Sequence, residues 1–357
     1  MKGKGGVQRR EICVLTGMAL IFRAVYAVMV EEGELMNAGV PATLLALLLA
    51  LPAAAFLIPL RRRAPICPAD EAVRQAVGRG GARLLGGVLF CLLSYDAAVS
   101  LRILAGAVRY VAMPESGLSG IMAAAAVAVA LAAGRGEAAA AGVAVLWRRA
   151  AVILAVLLVI VQLPQMNGAY LTPVLGPGLE EIWKGSLPVA GIFCFSVAGW
   201  LMLAPEHDAS GTAMLKTVLK AGAVSALATA FFCMLTPVML DEPPTRAFRL
   251  GRLLANDRAG VSLEMPYVIL LYGGLLTMLL FETAAAGHAL RLVFPKLSVR
   301  AGAWCAGGIL LAAALSGAAE REMAERISMW YYPAAALPTV MMGAAALART
   351  KRWRKKT

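Results

Sequence analysis

Long apolar blocks separated by short charged segments run the whole length of this chain, and they decide most of what it can fold into. Ten blocks stand out, at about 11–30, 40–60, 84–111, 118–133, 150–164, 187–205, 215–239, 264–290, 301–317 and 328–348. Most are long enough to cross, as a helix, a hydrocarbon core of roughly 30 Å. None shows the sustained residue-by-residue alternation of a membrane barrel. Lipid offers the backbone no water to bond with, so the spans must satisfy their own amides and are helices. The expected architecture is an all-α membrane protein with about ten transmembrane helices in a single polytopic domain.

Charge placement supports the count. With 34 Lys and Arg, a net charge of +13 would point to nucleic acid in a soluble protein. Here the basic residues fall in alternate connections, which is topological information and excludes a nucleic-acid binder. With the amino terminus inside, 24 of the 34 Lys and Arg lie on the inner side, seven outside and three within spans. The inner set includes Arg61 to Arg63, Arg148, Arg149 and the tail from Arg349 to Lys356, whereas Glu31, Glu32, Glu34, Glu180, Glu181, Glu320, Glu322 and Glu325 fall outside. Both termini are therefore expected in the cytoplasm. Arg246, Arg249, Arg252 and Arg258, before the eighth span, run against the rule. The first block could mimic a signal peptide, but Arg23 interrupts it and it ends in Glu31-Glu32 with no small-residue cleavage site, so it reads as span one.

Six cysteines show no paired spacing, and His207 and His288 have no ligand partner at metal-binding distance in sequence. Phosphate-binding, zinc-protease and nucleophile-elbow motifs are missing as well. Nothing in the chain implies an enzyme, a metal or a cofactor.

Three connections carry more than charge. Residues 134–149 (GRGEAAAAGVAVLWRR) read as a short cytoplasmic helix joining spans four and five. Residues 167–186 hold a breaker cluster, Pro173, Gly176, Pro177 and Gly178, followed by a short helix LEEIWKG. Residues 241–264 begin with Pro243-Pro244 and continue as FRLGRLLANDRAG, which looks like an amphipathic interfacial helix.

Four ionisable residues fall deep inside spans: Arg23 in span one, Asp96 and Arg102 in span three, and Glu282 in span eight. Such a group costs ~2.5–3.5 kcal/mol at mid-membrane depth, so these four must face protein or water. Helical spacing puts Tyr95, Arg102 and Arg109 on one face, with Asp96 turned about 100° away. Two readings stay open, a polar pathway or ligand site between spans one, three and eight, or buried ion pairs that fix helix register. Either way Asp96 or Glu282 is expected to lie near Arg23 or Arg102.

Small residues interrupt spans one and six. Thr16-Gly17 lies in the first; Pro188, Gly191, Ser196 and Gly199 lie in the sixth. Breaks at corresponding places in two halves are the mark of a transporter site, although glycine in membrane helices also permits close packing. Ten spans divide five plus five, and an odd repeat length inverts the second half, giving repeats of about 11–164 and 187–348.

The order of these features resembles the spore germination permeases, the B subunits of germinant receptors in the amino acid–polyamine–organocation transporter superfamily. The resembling segments are LIFRAVYAVM in span one, SYDAAVSLRILAGAVRYVAMPESG around span three, the linker GRGEAAAAGVAVLWRR and the outer stretch LTPVLGPGLEEIWKGSLP. YVILLYGGLLTMLLFETAAA in span eight is similar more loosely. Span six departs from the pattern, reading FCFSVAGW where many members carry a Gly-Glu pair.

The resemblance implies a leucine-transporter-like fold of two inverted five-helix repeats, a spore inner-membrane location and binding of a small germinant, often an amino acid. It also implies a membrane-anchored A subunit and a lipoprotein C subunit as partners, with spans one, three, six and eight lining the pocket. The candidate ligand-contacting residues are Thr16, Gly17, Arg23, Tyr95, Asp96, Arg102, Gly191, Ser196, Gly199 and Glu282, with the ligand carboxylate on amides freed at the breaks. A secondary transporter of amino acids or amines is the alternative.

Overall fold

The computed structural model describes residues 9–28, 38–63, 69–111, 115–172, 178–203, 211–235, 255–256, 261–262, 264–316, 330, 332–342 and 344. Among them are ten α-helical segments, one for each apolar block. They are α1 (Arg9–Tyr26), α2 (Gly39–Arg63), α3 (Ala69–Val111), α4 (Leu118–Gly134), α5 (Glu137–Gln162), α6 (Leu179–Leu203), α7 (Gly211–Leu235), α8 (Glu264–Val293), α9 (Val299–Leu315) and α10 (332–342). Six of them, α2, α3, α5, α6, α7 and α8, contain stretches long and apolar enough to cross a membrane, and α4 and α9 are shorter apolar helices.

The packing sorts the helices into two groups. Helices α1 and α2 pack with α6 and α7; helices α3 and α4 pack with α8 and α9. Each group thus joins two helices from the first five to their counterparts in the second five, as an inverted five-plus-five repeat requires. Contacts of α1 with α8, α6 with α8, and α3 with α6 join the groups. Helix α5 lies against α1 and α8, with much of its surface outward (Val152, Ile153, Val156, Ile160).

Helix α6 is the centre. Every residue from Pro188 to Leu203 is buried, including Phe193, Phe195 and Trp200. A helix apolar all round has no face for water and must be wrapped by other elements.

Backbone chemistry sets the ends and bends. Within α3, Gly78 has a non-helical φ of 87° and ψ of 167°, so residues 69–77 form a separate short leading helix. Pro52 cannot close the turn back to Leu48 in α2, and beside this weak point Tyr332 of α10 donates its hydroxyl to the Leu49 carbonyl at 3.1 Å. Gly136, with φ 101°, turns the chain between α4 and α5.

Four expectations are corrected. The stretch 134–149 is no separate cytoplasmic helix, because α5 runs unbroken from Glu137 through Arg148-Arg149 to Gln162. Its alanine-rich start favours helix and offers no stop. LEEIWKG likewise belongs to α6, where Glu180 and Glu181 meet Lys184 at 2.9 and 3.2 Å across the first turns. At the end of the expected interfacial helix, Ala255–Asn256 pairs antiparallel with Val261–Ser262 and is not helical. The rest of that stretch, Pro173 to Pro177, the acidic residues from Glu31 to Glu34 and from Glu320 to Glu325, and the basic tail lie outside the described residues.

The fourth correction concerns the helix breaks. Helix α1 is continuous across Thr16-Gly17, widening to π geometry only at residues 27–28, and α6 is continuous across Pro188, Gly191 and Gly199. A freed amide facing apolar side chains would lack any partner, and at Gly199 the missing side chain serves packing instead. A Cβ at Gly199 would come 2.5 Å from Phe281 Cζ, so the Phe281 ring fills the space a side chain would take.

Candidate functional site

Four helices bring their polar residues to one place. Arg23 from α1, Asp96 from α3, Ser196 from α6 and Glu282 from α8 line a cavity of about 10 Å³, room for a single water molecule at most. The rest of the wall is apolar: Ala19, Leu93, Ile192, Phe195, Met278 and Phe281. The three charged residues are 6%, 2% and 3% exposed, for Arg23, Asp96 and Glu282.

Arg23 Nε donates to Asp96 Oδ1 at 3.4 Å, the carboxylate–arginine pair anticipated from the cost of isolated charges. Glu282 is within electrostatic reach of Asp96, Arg23 and Ser100. Its Oε2 is buried without a hydrogen-bond partner. The Ser100 hydroxyl donates to the Asp96 backbone carbonyl at 2.8 Å, a turn back along α3. One buried guanidinium therefore faces two buried carboxyl groups.

Other expected residues stand elsewhere. Arg102 donates Nη1 to the Ala314 carbonyl at 3.0 Å, at the end of α9, where helix carbonyls concentrate partial negative charge. Tyr95 is half-buried against the core, and Gly17 looks toward Thr217 of α7 at an ordinary contact distance of 3.5 Å. Thr16 is buried, with no hydrogen-bond partner for its hydroxyl among the described residues. Gly191 is buried in α6, and Gly199 carries the Phe281 ring. None of these six lines the cavity. With α1 and α6 unbroken, no amide is freed at Thr16-Gly17 or between Gly191 and Gly199.

The apolar wall had a readable signal. Ala19 precedes Arg23 by four residues, Leu93 precedes Asp96 by three, Ile192 precedes Ser196 by four and Met278 precedes Glu282 by four. These are the spacings that stack side chains on one helical face. Once the polar residue is known to face inward, its neighbour one turn earlier does too.

The arrangement is that of a multi-pass membrane protein with the leucine-transporter-like fold. Among solved structures, the chain is similar to a manganese transporter of Eremococcus coleocola in complex with an aromatic bis-isothiourea substituted compound. The TM-score is 0.54 at 10% identity, over 95% of this chain and 75% of that one. A mutant of that transporter matches with the same TM-score at 11% identity, again over 95% of this chain and 75% of that one. Mhp1, a nucleobase-cation-symport-1 family transporter in a closed conformation with bromovinylhydantoin bound, matches with a TM-score of 0.52 at 13% identity, over 96% of this chain and 92% of that one. These neighbours are transporters, not enzymes, and at such identities they establish the fold. No family model and no curated protein matches the sequence.

Proposed function

We propose that this chain is a nutrient-sensing membrane subunit built on a transporter fold, of the spore germination permease type. It binds a small nutrient, an amino acid in the simplest case, and passes a conformational change to a membrane-anchored A subunit and a lipoprotein C subunit in the spore inner membrane. The observation that carries ligand binding is the cavity where Arg23, Asp96, Ser196 and Glu282 meet from four helices and both repeats. Polar groups in lipid-spanning segments mark ligand or ion paths by default. The sensing role rests on the ordered resemblance of the span-one, span-three, linker and outer-loop segments. Repeats of about 11–164 and 187–348 belong to the same reading.

Spores lacking the chain and complemented with Ser196→Leu test it. The substitution fills the cavity, so nutrient-triggered germination should be lost while the protein stays in the membrane and co-purifies with the two partners. Normal germination with that variant would overturn the reading.

The similarity to two transporters favours a second reading, active secondary transport of amino acids or amines. Proteoliposomes separate the two. Accumulation of the nutrient driven by a proton or sodium gradient would assign transport; binding without accumulation would assign sensing.

A further inference from the structure

The cavity sets two carboxyl groups, of Asp96 and Glu282, against the single guanidinium of Arg23. Arg23 offsets one carboxylate, and its Nε already donates to Asp96. The second carboxylate, on Glu282, is almost wholly buried and lines the cavity, with its Oε2 unpartnered. A buried charge is costly unless paired and hydrogen-bonded. No charged residue beyond Arg23 and Asp96 lines the cavity from α1, α3 or α6. Of the other ionisable groups on helices packed against α8, Arg102 turns to the end of α9, and Glu137 of α5 meets His288, six residues further along α8, at 3.0 Å. Arg74 of α3 donates to the Arg291 carbonyl, nine residues beyond Glu282. Arg300 of α9 packs on Gly134.

Resting on the ligand-site reading above, we infer that the cavity holds the ammonium group of its ligand and that Glu282 is the residue that takes it. The enclosure has the size of a water molecule, close to that of an ammonium head. A primary ammonium brings one positive charge and three donors. The Glu282 carboxylate, the Asp96 carboxylate and the Ser196 hydroxyl lie around the same space to accept them. A metal ion fits less well: no group of three or more His, Cys, Asp or Glu side chains able to hold one occurs among the described residues. A carboxylate ligand would add a third negative charge beside two. The apolar wall of Ala19, Ile192, Phe195, Met278 and Phe281 closes around the head group, and the aromatic rings can also face the cation.

The test uses the purified full chain in nanodiscs, with thermal unfolding followed against ethylammonium chloride, sodium chloride and sodium acetate at equal ionic strength. Ethylammonium should raise Tm saturably, and the sodium salts should not. Glu282→Gln should weaken the apparent Kd for ethylammonium at least tenfold. Without any added ion, the same variant should melt no lower than the parent, because it keeps a polar group of the same shape and leaves Arg23 with Asp96. The inference is overturned by equal stabilisation from sodium chloride, by no stabilisation from ethylammonium, by unchanged affinity in Glu282→Gln, or by a lower ion-free Tm in that variant. A zwitterionic amino acid that stabilises parent and Glu282→Gln alike, but not Ser196→Leu, would overturn the ammonium assignment and leave the ligand cavity standing. Amino acids and ethylammonium that all fail on the parent would overturn both.

Discussion

The ring of Phe281 rests on Gly199, where an added Cβ would meet Phe281 Cζ at 2.5 Å. This contact joins the central helix α6 to α8, one residue from Glu282. Gly199→Ala should therefore lower stability by about 1–3 kcal/mol, the usual range for overpacking, and truncating Phe281 to Leu in the same chain should recover part of the loss. Gly17 is the control. Its Cβ position is open to ordinary contact with Thr217 at 3.5 Å, and alanine suits a helix better than glycine by roughly 1 kcal/mol. Gly17→Ala should leave Tm unchanged or raise it. Thermal unfolding of the parent and the three variants in one detergent checks the pattern.

The charge balance around Arg23 predicts an asymmetry. Replacing Arg23 with Met leaves Asp96 and Glu282 facing each other with no cation, and breaking a buried pair this way costs about 3–5 kcal/mol. Replacing Asp96 with Asn leaves Arg23 beside Glu282, so the charges still match and the cost is smaller. Chemical denaturation of both variants should place Arg23→Met below Asp96→Asn. The reverse order would mean that Glu282 cannot serve Arg23.

Arg102 acts at the far end of α3, where it bonds the Ala314 carbonyl at 3.0 Å. A hydrogen bond from a charged donor contributes about 1.5–3 kcal/mol. Arg102→Met should release the last turn of α9, seen as faster amide exchange over residues 311–315, with ligand affinity unchanged. A tenfold loss of affinity instead would return Arg102 to the binding site.

Orientation follows from the charge distribution and is checked with reporters. A fusion after Arg62 or Lys351 should read cytoplasmic, and one after Ala169, between α5 and α6, should read external. An external reading at Lys351 would remove the even number of spans.

Much of the fold was legible because lipid imposes severe rules on sequence. Apolar blocks of spanning length and alternating basic loops located ten helices, and the cost of intramembrane charge marked Arg23, Asp96 and Glu282 as inward-facing. Element joints were less legible. The polar pair Arg148-Arg149 suggested a boundary that α5 passes straight through, because charge alone does not stop a helix rich in alanine.

What the chain's own sequence determined was how many helices there are and which residues could not face lipid. Tertiary structure decided which of those residues meet. Tyr95, Arg102 and Arg109 share one face of α3 by periodicity, yet Asp96, turned from that face, is the residue that reaches Arg23, while Arg102 bonds α9 and Arg109 is exposed. Periodicity orders residues around a single helix axis. Which neighbour each face meets depends on how the two groups of helices pack, and that depends on contacts such as Phe281 on Gly199, between residues far apart in the chain.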